Sequence, residues 1–242
     1  MMEFIKKVFR YIRLVVLHLS YRYRPSLSLS ENMVIIAPHP DDEVMGCAGL
    51  IQSLVKRGTP PHVILMTGGE GAHRGCCQTL EIDIKTVRSQ LIHEAAEVLG
   101  LSESYIHTLN YPDEYISLDC VETERLKQLL KTFSPNALFI PHWGEKMPDH
   151  LHTADIIKEL MKDTNVSIYE YCVWMWYYNI WDLDYKNAFI VKMNRTMHER
   201  KLRAIEQYIT PLAPCGKPWS GELPKPFLKA ARWDKELYFR VK

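Results

Sequence analysis

Residues 33–43 read Met-Val-Ile-Ile-Ala-Pro-His-Pro-Asp-Asp-Glu, an apolar run followed at once by a cluster of ionisable side chains. Five consecutive uncharged apolar residues, 33–37, are typical of a strand that is buried on both faces of a sheet. Residues 44–57 follow with a helical pattern that stops at Gly58, and glycine commonly ends helices. This stretch therefore predicts a strand, a polar turn and a helix in direct succession.

The rest of the chain alternates in the same way between short apolar runs and longer amphipathic segments. Further strands are predicted at 62–67, 105–109, 137–140 and 166–173, and further helices at 83–99, 121–133, 153–162 and 195–208. Such alternation favours an α/β fold, here a Rossmann-like, mainly parallel sheet with helices on both faces. We expect residues 31–242 to form a single domain, with a Pro-rich surface tail beyond residue 211.

Composition and charge exclude several classes of protein. The chain has 242 residues, of which 47% are hydrophobic and 24% charged, as in a globular domain. Thirty basic and 29 acidic residues give a net charge of +1, which argues against a nucleic-acid-binding protein. The uncharged stretch 171–181 is too short to span a bilayer. Six cysteines without framework spacing favour a reducing, cytoplasmic location.

The net charge hides basic ends around an acidic body. Residues 1–30 carry six basic residues and one acidic residue, +5, and residues 217–242 carry seven and three, +4, which leaves −8 for residues 31–216. In residues 1–30 a helix is predicted whose apolar side chains share one third of the helical circle, with Lys6, Lys7, Arg10 and Arg13 opposite. Two interpretations stand side by side: a peripheral membrane contact through residues 1–24, and a helix packed on the body or on a second subunit of a homo-oligomer.

The segment His39-Pro-Asp-Asp-Glu43 places four ionisable side chains at the predicted ligand edge of the sheet. Three clustered carboxylates repel one another unless a cation lies among them, and the adjacent histidine is a ligand suited to zinc. The alternative is a structural role, since Asp41 or Asp42 can cap the following helix. From this segment alone, a metal site and a helix cap are equally good interpretations.

A second cluster, His142-Trp-Gly-Glu-Lys-Met-Pro-Asp149-His150-Leu-His152, follows the strand predicted at 137–140. Two such clusters at the carboxyl ends of parallel strands can converge on one ion. Three nitrogen and oxygen ligands with an open position are typical of catalytic zinc sites. The second cluster therefore tips the interpretation towards a metal centre.

These residues resemble the LmbE-like, or PIG-L, family of zinc-dependent N-acetylglucosamine deacetylases. Besides the two clusters, the similar elements are Thr67-Gly-Gly-Glu-Gly71, Arg88, Pro112-Asp113 and Lys201-Leu-Arg-Ala-Ile205, spread over about residues 33–210. The resemblance implies a hydrolase that removes the acetyl group from an N-acetylated sugar or glycoconjugate, with Zn²⁺ as its cofactor.

The resemblance also implies roles for individual residues. His39, Asp42 and His150 match the zinc ligands, Asp41 matches the general base, and Arg88 matches a substrate contact. We expect Asp149 to act in catalysis by orienting a histidine.

One departure concerns Met147, which stands where the family usually has a histidine beside the reacting group. A thioether neither donates a strong hydrogen bond nor transfers a proton. Three alternatives follow. His142, as a substrate-binding residue, or His152 can take the place of the missing histidine, or Asp41 carries out all proton transfer. In the third alternative the chain is a catalytically impaired protein that binds sugars with the help of a metal. A second departure is Leu91, where the family often has a glutamate.

Overall fold

The structure is a computed structural model that describes residues 2–75 and 80–242, so Cys76 and Cys77 lie outside the described residues. The strands are β1 Met33–Ala37, β2 His62–Leu65, β3 Ile106–Thr108, β4 Ala137–Pro141, β5 Ser167–Tyr171, β6 Ala188–Lys192 and β7 Lys235–Arg240. The helices are α1 Met2–Ser20, α2 Asp42–Arg57, α3 Glu81–Leu99, α4 Glu122–Phe133, α5 Pro148–Leu160, α6 Arg195–Ile209 and α7 Lys225–Ala231.

Within the described residues the strands form one sheet in the order β3-β2-β1-β4-β5-β7-β6. The first five are parallel, and β7 runs antiparallel to both of its neighbours. The chain leaves β1 towards β2 and β3 on one side and later continues through β4 and β5 on the other. Ligands of doubly wound sheets bind in the crevice where the strand order reverses in this way, here between β1 and β4. The predicted α/β, mainly parallel fold is confirmed.

Strand β1 is buried along its whole length because both faces of the sheet are covered. Ile35 and Ala37 point into a core shared with α2, α3 and α6, whereas Val34 and Ile36 point into a core shared with α4 and α5. Successive side chains of a strand alternate between faces, so an uninterrupted apolar run is the pattern that a two-sided core requires.

Helix α5 begins at Pro148, five residues before the predicted start at Thr153. Proline is well suited to the first turn, because its missing N–H would have no partner there and its φ is already helical. Asp149 and His150 therefore lie on a rigid helical turn rather than in a loop.

The C-terminal segment differs from the predicted surface tail. Residues 225–231 form α7, and β7 is inserted between β5 and β6, with Leu237, Tyr238 and Phe239 buried. Burial of this apolar run stabilises β7 in the sheet. The sequence prediction missed the strand because the prolines before it suggested a surface tail. Strand β6 was also missed by the sequence prediction.

Helix α1 packs on the body through Leu14 and Leu17, which are 1% and 2% exposed. It also buries Arg13, a member of the predicted basic face. No helix in the described part of the chain is both long enough and apolar enough to cross a membrane.

Candidate metal centre

Three side chains from two strand ends meet at the crevice between β1 and β4. His39 and Asp42 follow β1, and His150 lies on the first turn of α5. One ligand atom from each lies within 4.8 Å of the other two, close enough for a single ion to contact all three. The set of two imidazoles and one carboxylate suits zinc.

The surroundings of His150 fit a cation rather than a hydrogen-bonded core histidine. Its side chain is fully buried, yet neither ring nitrogen makes a hydrogen bond with the described residues. Nε2 lies 3.3 Å from Oδ2 of Asp42, and Nδ1 lies 3.3 Å from Oε2 of Glu145. A proton on Nδ1, facing Glu145, leaves a lone pair on Nε2 beside a carboxylate oxygen. Two acceptors that face each other in a buried site require a positive charge between them.

Glu145 is the residue behind His150, and the sequence reasoning gave it no role. Its buried carboxylate accepts backbone hydrogen bonds from Val173, Trp174 and Met175 at 2.8, 2.5 and 3.2 Å. These donors belong to the segment after β5, almost thirty residues away, so no local sequence signal revealed the contact.

His39 is surrounded by carboxylates. Its Nε2 lies 3.0 Å from Oδ1 of Asp113 and 3.2 Å from Oδ2 of Asp149, and its Nδ1 lies 3.4 Å from Oδ2 of Asp42. Burial lowers the pKa of His39, but its hydrogen bonds to Asp113, Asp149 and Asp42 outweigh this effect and raise it well above the usual range. The site thus favours a positive charge at His39, which a proton or a metal ion supplies.

His39, Asp113 and Asp149 form a second group that could hold an ion. The two carboxylates, however, already accept backbone N–H bonds: Asp113 from Gly71 at 2.7 Å, and Asp149 from Glu114 at 2.7 Å and Ile116 at 3.4 Å. These carboxylates have backbone partners, whereas Nε2 of His150 faces a carboxylate oxygen of Asp42 without a hydrogen bond. The geometry therefore favours the group containing His150 as the metal site and leaves Asp113 and Asp149 to orient His39.

Asp113 was not predicted as a site residue. The signal available in the sequence was the element Pro112-Asp113, which the family resemblance includes.

Asp41 stands beside this group in an unusual backbone conformation, with φ at 111°. Its N–H donates to Oε2 of Glu43 at 3.0 Å, and Oε1 of Glu43 accepts from the hydroxyl of Tyr208 at 2.5 Å. Residues held outside the common φ/ψ regions cluster at functional sites, where the surrounding structure maintains the strain. The Glu43–Tyr208 contact is such a support, since it ties the backbone at Asp41 to α6.

Burial of Asp41 raises the pKa of its carboxyl well above the usual range, even though the Arg88 guanidinium acts in the opposite direction. Nη2 of Arg88 lies 3.4 Å from Oδ2 of Asp41. Arg88 also donates to the carbonyl oxygens of Gly69 at 2.9 Å and Pro40 at 2.5 Å. The guanidinium therefore ties two loops of the site together while lying against the candidate base.

A cavity of about 390 Å³ opens over these residues. Its polar wall includes His39, Asp41, Asp42, Arg88, Asp113 and Asp149. Met147, Trp174, Ser220 and Leu223 also line the cavity. Trp174 thus lines the cavity, whereas Trp176 is buried in the core.

His142 and His152 do not lie beside Met147 in this cavity. His142 is buried, accepts a hydrogen bond from the N–H of Gly144 at 2.9 Å and has its pKa lowered to about 3 by burial, so it is neutral. His152 lines a separate groove on α5. Of the described residues that line the cavity, His39 is the only histidine. The structure thus brings six of the seven predicted site residues together and separates His142 from them.

The fold and this His/Asp group define an α/β protein with a candidate metal centre at the switch point of its sheet. A model of the family described as "PIG-L: GlcNAc-PI de-N-acetylase" matches residues 34–161, and the chain belongs to this family.

Two relatives are deacetylases by name. The chain is 26% identical over 126 residues to the diacetylchitobiose deacetylase of Thermococcus kodakarensis, covering 50% of this chain and 46% of the relative. It is 23% identical over 128 residues to a probable N-acetyl-alpha-D-glucosaminyl L-malate deacetylase 2 of Bacillus cereus, covering 50% and 57%. The chain thus spans about half the length of these relatives.

Among solved structures, the N,N'-diacetylchitobiose deacetylase of Pyrococcus horikoshii is similar with a TM-score of 0.61 and 20% identity, over 86% of this chain and 74% of that one. This likeness shows the shared fold.

Proposed function

We propose that this chain is a zinc-dependent hydrolase that removes the acetyl group from an N-acetylglucosamine-type sugar or glycoconjugate. The observation that carries the proposal is the group His39, Asp42 and His150, with Asp41 beside it on the wall of the cavity. Family membership and the names of the two relatives support N-deacetylation of a sugar.

In this proposal His39, Asp42 and His150 hold Zn²⁺. The ion, when bound, acts as a Lewis acid and lowers the pKa of a bound water towards ~7. The carboxylate of Glu145, 3.3 Å from Nδ1 of His150, favours a proton on that nitrogen, and Asp149 and Asp113 orient the ring of His39, so that the ligand atoms are aligned before the metal arrives.

Asp41 is proposed as the general base. Its carboxylate lies on the cavity wall, where it can accept a proton from water as the acetyl carbonyl is attacked. The same carboxyl then donates that proton to the sugar nitrogen as the amide C–N bond breaks, which leaves acetate and a free amine. Burial raises the pKa of this carboxyl from its usual range in the direction of the working pH, which favours a group that both accepts and donates a proton.

Arg88 and Asp149 complete the proposed machinery. Arg88 sets the position of the Asp41 carboxylate and presents a positive charge to the cavity, where it can contact substrate. Asp149 acts through His39 rather than on the substrate. The proposed substrate-binding role of His142 has no support from its position outside the cavity.

A second candidate function is binding of an N-acetylated sugar without turnover. The observation that favours it is Met147 on the cavity wall, with no histidine other than His39 among the described lining residues. Without a second histidine among these residues, turnover would depend on Asp41 for both proton transfers.

The test is release of free amine from a panel of N-acetylated sugars, measured with zinc and with a chelator. We expect zinc-dependent turnover, which Asp41→Asn abolishes while bound zinc, counted by elemental analysis, stays near one per chain. His150→Ala is expected to lose the zinc as well. Near-wild-type turnover by Asp41→Asn contradicts the mechanism, and sugar binding without amine release by the wild type establishes the second function.

We also propose a cytoplasmic location, because the six cysteines lack framework spacing.

A further inference from the structure

Helix α1 presents a broad apolar surface to solvent. Nine large side chains on it are 40–71% exposed: Phe4, Ile5, Val8, Phe9, Tyr11, Ile12, Val15, Val16 and Leu19. At 3.6 residues per turn they fall within a continuous arc of about 160°, and no charged residue lies within that arc. We name this strip the outer face of α1.

The opposite side of α1 is fixed to the body, so the outer face does not turn inwards. Leu14 and Leu17 pack in a core with Trp176 and Ile180. Arg13 is fully buried, where its Nε donates to the carbonyl oxygen of Ile180 and its Nη2 lies 2.8 Å from Sδ of Met175.

The side of the helix that carries Arg13, Leu14 and Leu17 therefore faces the protein, and the apolar strip faces outwards. This is the reverse of the arrangement expected for an amphipathic helix on the surface of a protein in water. Contiguous exposed apolar surface of this size marks an interaction site.

Cations surround the outer face. Lys7 and Arg22 are exposed on α1 and the turn after it, and Nζ of Lys229 on α7 lies 5.4 Å from the ring of Tyr11. Residues 1–30 carry a net charge of +5 and residues 217–242 a net charge of +4. Helices α1 and α7 contact each other, so the two basic segments of the chain lie together around one apolar strip.

We propose that the outer face of α1 docks this protein on an anionic lipid bilayer. The helix lies in the interface with its apolar side chains at the level of the acyl chains, and the surrounding lysine and arginine side chains contact acidic headgroups. A second copy fits less well, because a two-fold contact through α1 brings together two surfaces that carry the same basic residues, Lys7, Arg22 and Lys229. This docking does not depend on the chemistry of the cavity.

Helix α1 is connected to the cavity wall through neighbouring residues. The guanidinium of Arg10 lies 3.9 Å from the ring centroid of Tyr177, and α7 packs against the turn Trp174–Trp176. Trp174 also lines the cavity. Docking through α1 thus places the wall that contains Trp174 on the membrane-proximal side of the protein.

The test is co-sedimentation of the full chain with phosphatidylcholine vesicles, with or without added phosphatidylserine. We expect binding to the vesicles that contain phosphatidylserine and a weaker affinity as the salt concentration rises. The variant Val8→Glu/Val15→Glu, at sites that are 41% and 51% exposed, is expected to bind at least about tenfold more weakly, since it removes two apolar anchors and adds two negative charges.

The matched control is Ile82→Glu/Val121→Glu. Its sites are 64% and 82% exposed on α3 and at the start of α4, and it makes the same change of charge away from α1. We expect this control to bind like the wild type, and circular dichroism to show both variants folded.

Three outcomes overturn the proposal: no binding of the wild type to vesicles that contain phosphatidylserine, equal loss of binding by both double variants, or unchanged binding by Val8→Glu/Val15→Glu. A wild-type dimer that this variant converts to monomers, without binding to vesicles, assigns the outer face to a second copy instead.

Discussion

Replacing Glu145 with glutamine is expected to weaken zinc binding about 10- to 100-fold. The reason is that the substitution can replace the carboxylate oxygen beside Nδ1 of His150, an acceptor, with an NH₂ group, a donor. Oε1 of Glu145 accepts from Val173 and Met175, and Oε2 accepts from Trp174 and lies 3.3 Å from Nδ1 of His150. Glutamine has only one oxygen for these positions. If it stays with Val173 and Met175, the amide NH₂ points at Nδ1 of His150 and at the N–H of Trp174.

An NH₂ group beside Nδ1 favours the tautomer of His150 that carries its proton on Nε2. That nitrogen then has no lone pair to offer a metal, so binding must first pay for a change of tautomer and of amide orientation. The expected loss corresponds to about 1.4–2.8 kcal/mol. The backbone N–H of Trp174, left facing a donor, adds a separate loss of about 1–3 kcal/mol in the stability of the metal-free protein.

The assay is a zinc titration against a chromophoric chelator, combined with urea unfolding of the metal-free protein. The control is Glu159→Gln, the same substitution on α5 at a side chain that is 52% exposed and paired with Lys162. The two measurements separate a fold defect from a defect at the site. A zinc affinity of Glu145→Gln within about twofold of the control refutes the role assigned to Glu145.

Three further predictions concern the cavity, the core and pH. Met147→His is expected to raise kcat for amine release at least about tenfold with zinc content unchanged, since it adds an acid–base group; an unchanged kcat shows that another group already serves. Lys201→Met should destabilise the protein by about 3–5 kcal/mol in urea, because it leaves the buried carboxylate of Glu236, 2.8 Å from Nζ, without its cation; a loss under about 1 kcal/mol contradicts this. The pKa of His142 is about 3 in the folded protein and 6.5 in the unfolded chain, so the unfolded chain gains a proton as the pH falls. The free energy of unfolding should therefore decrease by about 2 kcal/mol between pH 7 and pH 5 through this residue. His142→Asn should lack this decrease, and a pH dependence identical to that of the wild type contradicts the prediction.

The sequence predicted the part of the fold and site that local patterns encode. The apolar run 33–37, the glycine at the end of α2 and the two His/Asp clusters each depend on residues adjacent in the chain, and the parallel sheet then brings the clusters to one crevice. Because the residues after β1 and β4 share one edge of the sheet, predicting the alternation was enough to predict the convergence of His39 and His150.

Contacts between distant segments were not predictable in the same way. Glu145 owes its position to three N–H groups beyond β5, and Asp113 to the loop that carries Gly71. The surroundings of His142 likewise depend on the direction in which the chain turns after β4. His142 is only eight residues from His150, and this spacing does not show whether its side chain faces the cavity.

The orientation of α1 shows why a helical pattern alone leaves its partner open. The spacing of residues in α1 separates an apolar face from a basic face. Either face can pack on the protein while the other is exposed to solvent, and the pattern does not say which. Arg13 is fully buried whatever lies outside the helix, and this loss of solvation lowers the pKa of its guanidinium to about 10. The free energy of the outer face, in contrast, depends on its surroundings: nine large apolar side chains are unfavourable in water and favourable at the level of acyl chains. The observed orientation of α1 is therefore most favourable in free energy when the medium that contacts its outer face is apolar.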